Sequence, residues 1–277
     1  MQSFSNKVVV ITGAASGIGR ALARQLSHDG AHLALSDVNM AGLEETRDML
    51  QGSGKVTLHT LNVADRAAWQ AYADTVISDH GQVDAIINNA GVALSETVEQ
   101  MSYDDMEWIV NINFWGVVYG TKTFLPLLQQ RPEAAIINVS SIFGIIALPT
   151  QAAYNATKFA VRGFTESLRQ ELADTNIMVT TVHPGGIKTN IVRNGRMKTS
   201  LAASQGAAEK SLDQQARDFE KMARTTPDQA ASTIINGTLK GKRRILIGAD
   251  ARAMDRTQRL FPIRYSEIFG WLLSKIA

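Results

Sequence analysis

The chain has 277 residues, 45% of them apolar and 19% charged, with a formal net charge of +2. This suits a single globular unit with a sizeable core and gives no electrostatic ground for binding nucleic acid. There is no cysteine, which excludes disulfides, thiolate nucleophiles and cysteine-held metal. The scattered His28, His32, His59, His80 and His183 lack ligand spacing, so no metal is expected.

The polar start runs straight into the apolar Val8–Ile11. That run lacks the length and cleavage pattern of a leader, so a cytoplasmic chain is expected. No apolar stretch is long enough to span a bilayer. Val8–Ile11 reads as a first buried strand, followed by Ile18, Leu22 and Leu26 at helical spacing. His32–Ser36 is a second strand, with a helix through Leu43 and Leu50. Val56–Leu61 is a third, before a helix over Ala67–Ile77. Ala85–Ile87 precedes a long helix over Tyr103–Leu128, and Ala135–Val139 precedes one over Gln151–Leu172. Ile177–Val182 is the sixth strand; a helix over Pro227–Lys240 leads into the seventh, Arg244–Ile247.

Strands alternating with single helices predict right-handed βαβ units and a doubly wound parallel sheet, and uninterrupted apolar strands predict cover on both faces. The expected division is one α/β domain over 1–250 and a helical tail over 251–277. The polar, weakly periodic stretch 188–226 interrupts the pattern where such a sheet binds ligands.

Thr12-Gly13-Ala14-Ala15-Ser16-Gly17-Ile18-Gly19 joins the first strand to a helix. Gly13 permits the turn, Gly17 lets the backbone approach a pyrophosphate, and Gly19 lets the helix pack on the sheet. The helix N-terminus then offers free N–H groups to the anion. Asp37 ends the second strand, where a carboxylate accepts from the ribose hydroxyls of NAD and repels the 2′-phosphate of NADP. Ser16 and Val38 beside it are uncharged, so NAD is expected over NADP. Capping of the next helix by Asp37 is a compatible alternative.

Tyr154 and Lys158 sit four apart at a helix start and share a face. A neighbouring ammonium is expected to bring the phenol below its ordinary pKa of about 10. The Ser140-Ser141 pair follows the fifth strand, and Asn88-Asn89-Ala90-Gly91 closes the fourth at the same carboxyl edge. Asn113 lies within an apolar helix, where its amide needs a partner.

This ordered set, with Pro184-Gly185 after the sixth strand, resembles the short-chain dehydrogenase/reductase family over about Lys7–Thr189, with the closing strand near Arg244–Gly248. The resemblance implies a seven-stranded Rossmann fold and hydride transfer between a nicotinamide cofactor and an alcohol or ketone. It implies Tyr154 as acid/base, Lys158 as its modulator and ribose ligand, Ser141 as holder of the substrate oxygen, and Asn113 as anchor of a water linked to Lys158. Ser141, not Ser140, has the family's spacing to the tyrosine. Asn113, not Asn111, has the glycine three residues on. It further implies cofactor contacts from Gly13, Ser16, Gly17, Ile18, Gly19 and Asp37, from Asn62 and Val63 at the adenine, and from Asn88, Ala90 and Gly91. Pro184, Gly185, Ile187 and Thr189 are implied around the nicotinamide. Asn62 departs from the aspartate common there, and its carbonyl still accepts from an adenine amine.

The stretch 191–223 is expected to cover the site. Met197, Leu201, Leu212, Phe219 and Met222, with Ile145, Ile146 and Leu148, suggest an apolar substrate; ordinary packing explains them equally. Arg193, Arg196 and Lys198 are the candidates for a charged one. In the tail, Ile268, Leu272 and Ile276 recur at helical spacing beside Phe269, Trp271 and Leu273, behind arginines 252, 256, 259 and 264. Packing on the body or another subunit, contact with a membrane surface, and a wall of the substrate pocket are all open. A homo-oligomer, tetramer or dimer, is implied through the long helices that carry Trp108, Phe114, Trp115 and Phe124. The rival readings are a 3-oxoacyl-thioester reductase, against which Asp37 argues, and a non-catalytic dinucleotide sensor, against which the filled catalytic positions argue.

Overall fold

The computed structural model describes residues 1–199, 203, 208 and 210–274, with side chains through Phe269. Along the chain run β1 (Val8–Thr12), α1 (Gly17–His28), β2 (His32–Asp37), α2 (Met40–Asp48), β3 (Val56–Thr60) and α3 (Ala68–His80). Then come β4 (Ala85–Asn88), the short β5 (Leu94–Ser95), α4 (Tyr103–Val110), a π-helical stretch Asn111–Trp115 and α5 (Gly116–Leu128). Next are β6 (Ala134–Val139), a 3-10 turn Ile142–Gly144, α6 (Ala152–Glu171), β7 (Ile177–Pro184) and the short β8 (Arg196–Met197). The remainder holds α7 (Leu212–Met222), α8 (Pro227–Leu239), β9 (Arg244–Ile247), α9 (Ala249–Leu260) and α10 (Tyr265–Ser274).

The seven long strands form one parallel sheet in the order β3-β2-β1-β4-β6-β7-β9. Side chains alternate across it, so Val9, Ile11, Leu33, Leu35, Ile87 and Ile137 meet Leu22, Leu26, Leu43 and Ile234 of α1, α2 and α8. Val10, Ala34, Ile86 and Ile136 meet Trp69, Tyr72, Val76, Phe124, Leu128 and Leu168 of α3, α5 and α6. Cover on both faces explains why the strands read as unbroken apolar runs. The chain order reverses between β1 and β4, and the crevice there opens at the carboxyl ends of the strands.

Three regions depart from the sequence reading. The long helix over Tyr103–Leu128 is split by the π-helical turn, in which Gly116 N–H bonds back to the Asn111 carbonyl. The stretch 188–226 carries β8, which pairs with β5, and α7, started by a Ser211/Gln214 capping box. The tail is helical directly after β9, and α10 begins at Tyr265.

The tail packs on the body. Met254, Tyr265 and Phe269 cover Ile142, Ile145 and Ile146, and Ala147 N–H donates to Tyr265 Oη at 3.1 Å. Asp255 pairs with Arg244 at 2.7 Å and Arg259 at 3.0 Å, and Glu267 with Arg264 at 3.2 Å. Leu260, Phe261 and Ile263 stay exposed. Leu201 and Ile276, and the side chains of Trp271, Leu272 and Leu273, lie outside the described residues. Among the described residues no helix is long and apolar enough to cross a membrane.

Candidate active site

The turn from β1 into α1 has Gly13 at φ 67° and Gly17 at φ 55°, values that a β-carbon disfavours. A side chain at Gly13 would also meet the Ala90 backbone at 2.8 Å, so the β1 and β4 loops lie in contact. Thr12 Oγ1 accepts from Asn89 N–H and Ala90 N–H, both at 3.0 Å, and the Asn89 amide donates to the Thr12 and Gly13 carbonyls at 2.9 and 3.1 Å. Thr12 and Asn89 thus build the crevice without appearing among the expected ligands. Ser16 is the N-cap of α1, and its side chain makes no capping hydrogen bond. Ile18 anchors that helix on the core. The N-terminus therefore keeps donors for an anion.

Asp37 accepts from Ala15 N–H and Asn39 N–H, each at 3.1 Å. The helix-capping role belongs to Asn39, which accepts from Gly42 N–H at 3.0 Å. Arg20 lies close to this corner, but its guanidinium is bound to Thr46, Glu45 and the Ala15 and Gly42 carbonyls. Asn62 is exposed at the end of β3, whereas the Val63 side chain packs on Gly116 and its carbonyl accepts from Trp69 Nε1 at 3.0 Å.

The Asn88 side chain turns away from the crevice. Its amide donates to Asn138 at 2.8 Å and Thr121 at 3.2 Å, and the Asn138 amide donates to Thr165 at 3.0 Å. Only backbone remains at Asn88 to face a cofactor. Asn113 is wholly buried, whereas Asn111 is exposed. The Asn113 amide exchanges hydrogen bonds with Val92 N–H and C=O at 2.8 and 2.9 Å and reaches Thr157 Oγ1 at 3.3 Å. Protein partners thus engage both the oxygen and the nitrogen of its side chain.

Ser140 and Ser141 separate by role. Ser140 Oγ donates to the Lys158 carbonyl at 2.8 Å, inside the fold. Ser141 Oγ accepts from Phe143 N–H at 3.1 Å and lies near the Tyr154 phenol. Asn155 holds the loop after the serine by donating to the Phe143 and Ile146 carbonyls, both at 2.8 Å. Phe143 meets the Tyr154 ring edge-on at 6.0 Å, and Ile191 and Met197 belong to the same apolar cluster. Ile145 and Ile146, expected near the substrate, lie beneath the tail instead, and Leu212 and Met222 are exposed.

Lys158 Nζ donates to the Val139 carbonyl at 3.1 Å and lies 5.6 Å from the Tyr154 ring centre. A side chain at Gly91 would meet both Asn113 Oδ1 and Lys158 Nζ, so these groups adjoin. Burial, only partly offset by the nearby Ser141 hydroxyl, pushes the Tyr154 phenol up to about 12. Burial also brings the Lys158 ammonium down to about 8. This reverses the expected shift of the tyrosine: desolvation of the phenolate outweighs the nearby cation in the chain alone.

Gly185 N–H donates to the Ile247 carbonyl at 2.9 Å and Gly186 N–H to Asp250 at 2.7 Å, which holds the turn after Pro184. Ile187 bridges to Thr225, and Thr189 lies against Gly17. Arg193 pairs with Asp213, and Arg196 and Lys198 both pair with the buried Asp105; these charges hold the covering segment in place. Lys198, Ser102 and Arg196 together keep the Asp105 carboxyl well below its usual range. Arg196 also stacks over Trp108 at 4.1 Å.

Comparison with known proteins agrees with this geometry. The short chain dehydrogenase family model matches residues 7–200. A Mycobacterium tuberculosis protein provisionally named the oxidoreductase SadH is 46% identical over 272 residues, covering 97% of this chain and 95% of its own. Cyclopentanol dehydrogenase of Comamonas testosteroni is 35% identical over 190 residues, covering 68% and 76%. The crystal structure of a Burkholderia phymatum short chain dehydrogenase/reductase in complex with NAD superposes with a TM-score of 0.84 at 28% identity, covering 94% and 95%. The chain belongs to the short-chain dehydrogenase family of Rossmann-fold, nicotinamide-dinucleotide-binding oxidoreductases.

Proposed function

We propose that this enzyme interconverts an apolar secondary alcohol and its ketone with NAD. The reading is carried by one juxtaposition: Ser141 beside Tyr154, with Lys158 and Asn113 behind them, at the sheet edge that holds the glycine turn. The nicotinamide, when bound, supplies or accepts the hydride. Tyr154 gives a proton to the substrate oxygen in reduction and takes it in oxidation. Ser141 donates to the same oxygen as charge develops there. Lys158 has donors beyond the Val139 carbonyl for a ribose hydroxyl, and its charge offsets the phenolate. The Asn113 carbonyl, in the π turn, holds a water through which protons leave.

The glycine turn with Ser16 and Ile18 fits a pyrophosphate, and the Asp37 carboxylate favours the free ribose of NAD. Backbone at Asn88, Ala90 and Gly91, the pair Asn62 and Val63, and the stretch from Pro184 through Gly185 and Ile187 to Thr189 complete the cofactor contacts. Phe143, Ile191 and Met197 beside Tyr154 support an apolar substrate, as does a cyclopentanol-oxidising relative. We take residues 1–250 as the catalytic unit and 251–277 as an appended tail whose Tyr265 steadies the serine loop. A homo-oligomer built on α4, α5 and α6 is supported by exposed Trp115 and Phe159; Phe124 belongs to the core. A membrane-surface contact of the tail would use exposed Leu260, Phe261 and Ile263.

The test mixes NAD with a panel of primary and secondary alcohols and follows reduced nicotinamide, with Tyr154→Phe alongside. Turnover confined to the native chain is expected. Equal turnover in the variant, or NAD binding without turnover of any alcohol or ketone, counts against the reading.

A further inference from the structure

The turn that carries Ser141 leaves β6 beside β7, and the ladder between those strands stops there. Ser140 N–H donates to the Val182 carbonyl at 2.8 Å. In a parallel ladder the return bond to the Ser140 carbonyl falls to Pro184, which has no N–H. Past that point the Ser141 carbonyl is held by two bonds. Gly144 N–H donates to it at 2.9 Å from within the same 3-10 turn. His183 Nδ1, on β7, meets the same oxygen at 2.9 Å. Among the described residues it is the one hydrogen bond to that carbonyl from another element.

A carbonyl only accepts, so Nδ1 carries the hydrogen. In the neutral ring Nε2 is then a bare acceptor, and it is buried with no partner among the described residues. Burial brings the wholly buried His183 down to about 4; the Ser141 carbonyl and Glu166 of α6 oppose this, and Arg244 of β9 and Arg162 of α6 add to it. The ring is therefore neutral near pH 7. A buried acceptor without a donor costs stability. An apolar side chain would serve the core at least as well, and what it would lack is the Nδ1 donor.

We propose that His183 is a positioning residue for Ser141: as the Nδ1–H tautomer it ties the serine's main chain to β7 and so sets where the hydroxyl stands against Tyr154. This rests on the reading above of Ser141 as donor to the substrate oxygen, and extends it to a buried residue that acts only through Ser141. The Asn155 bonds hold the turn farther on, at Phe143 and Ile146, and without His183 the serine pivots about them. A reacting group misplaced by about 1 Å can lower turnover by up to about a hundredfold.

The test compares His183→Asn and His183→Leu in the whole chain. The two side chains match in size and both lose the ring, but the asparagine amide stands where Nδ1 was and can donate. His183→Leu is expected to lower kcat about tenfold or more, with NADH affinity within about twofold of native. His183→Asn is expected to restore kcat to within about threefold. Nitrogen NMR of the native chain, with 15N-labelled histidine, is expected to show one ring protonated on Nδ1 alone and unchanged from pH 6 to 8, its signal missing in His183→Asn. A leucine variant with native kcat overturns the proposal. So does an asparagine variant that binds NADH yet loses kcat tenfold, which decides the matter even if the leucine variant does not fold. A ring protonated on Nε2, or charged at pH 7, overturns it independently of turnover. A native chain that shows this tautomer but turns over no alcohol or ketone fails the reading of Ser141 itself, and the positioning role falls with it.

Discussion

Replacing Lys158 with methionine removes a buried ammonium, and its effect on stability has a sign and a pH window. Burial holds the folded pKa at about 8 against an ordinary 10.5. Between those values the unfolded chain binds the proton and the folded chain does not, so stability rises with pH. The penalty of burying the charge is fully present below pH 8 and gone above 10.5, and amounts to about 3 kcal/mol. Methionine carries no such penalty. It does leave the Val139 carbonyl without its 3.1 Å donor, a loss of about 1–3 kcal/mol that does not vary with pH. The stability of Lys158→Met relative to the native chain is therefore expected to fall by about 2 kcal/mol from pH 7 to pH 10. Tyr154, which keeps its proton up to about 12 in the fold, lowers stability only above pH 10 and does so in both proteins. Urea unfolding followed by tryptophan fluorescence at pH 7, 8.5 and 10 gives the difference directly. A difference that stays flat, or that grows with pH, refutes the account of Lys158 as a buried, destabilising charge. Dehydrogenase turnover is expected to vanish in the variant at every pH.

Three other substitutions test the site. Asp37→Ser removes the carboxylate at the ribose corner and is expected to move the NADP/NAD ratio of kcat/KM by about tenfold or more toward NADP; an unmoved ratio denies Asp37 the choice of cofactor. Gly19→Ala would put a methyl 2.1 Å from the Gly13 carbonyl, so the glycine turn must shift, at about 1–3 kcal/mol, and weaker NADH binding with a lower Tm is the expected result in titration and melting. Asn155→Ala frees the Phe143 and Ile146 carbonyls, and because this loop presents Ser141, kcat is expected to fall about tenfold or more while NADH affinity holds.

The alternation of strands and helices was legible because strands buried on both faces must be continuously apolar, and single helices must cross between them. Tyr154 and Lys158 were legible by helical spacing and Ser141 and Asn113 through the family resemblance, and the fold brings the four together. Burial was not. The i, i+4 lysine predicted a lowered phenol pKa, whereas the burial of the phenol, among residues from β5, α4 and the covering segment, raises it. The π turn left no mark in an apolar pattern read at helical period. The helix α7 did leave one: Ser211 and Gln214 stand at capping-box spacing, and the weak apolar periodicity obscured it. Thr12, Asn89 and Asn155 act through contacts far apart in sequence, so spacing could not assign them.

The amide chain from Asn88 through Asn138 to Thr165, with Thr121 on its flank, also acts as a register key. Asn88 and Asn138 are direct partners in the β4–β6 pairing. A slip of one residue would send one amide to the other face of the sheet and strand its buried partner. The hydroxyls it engages belong to α5 and α6, so the same key sets how far each helix sits along the strands. A helix displaced by one residue moves about 1.5 Å. That shift would displace Tyr154, eleven residues before Thr165 on α6, from its place beside Ser141. A purely apolar helix–sheet contact would tolerate such sliding; the buried amides make the height of the phenol a consequence of folding correctly.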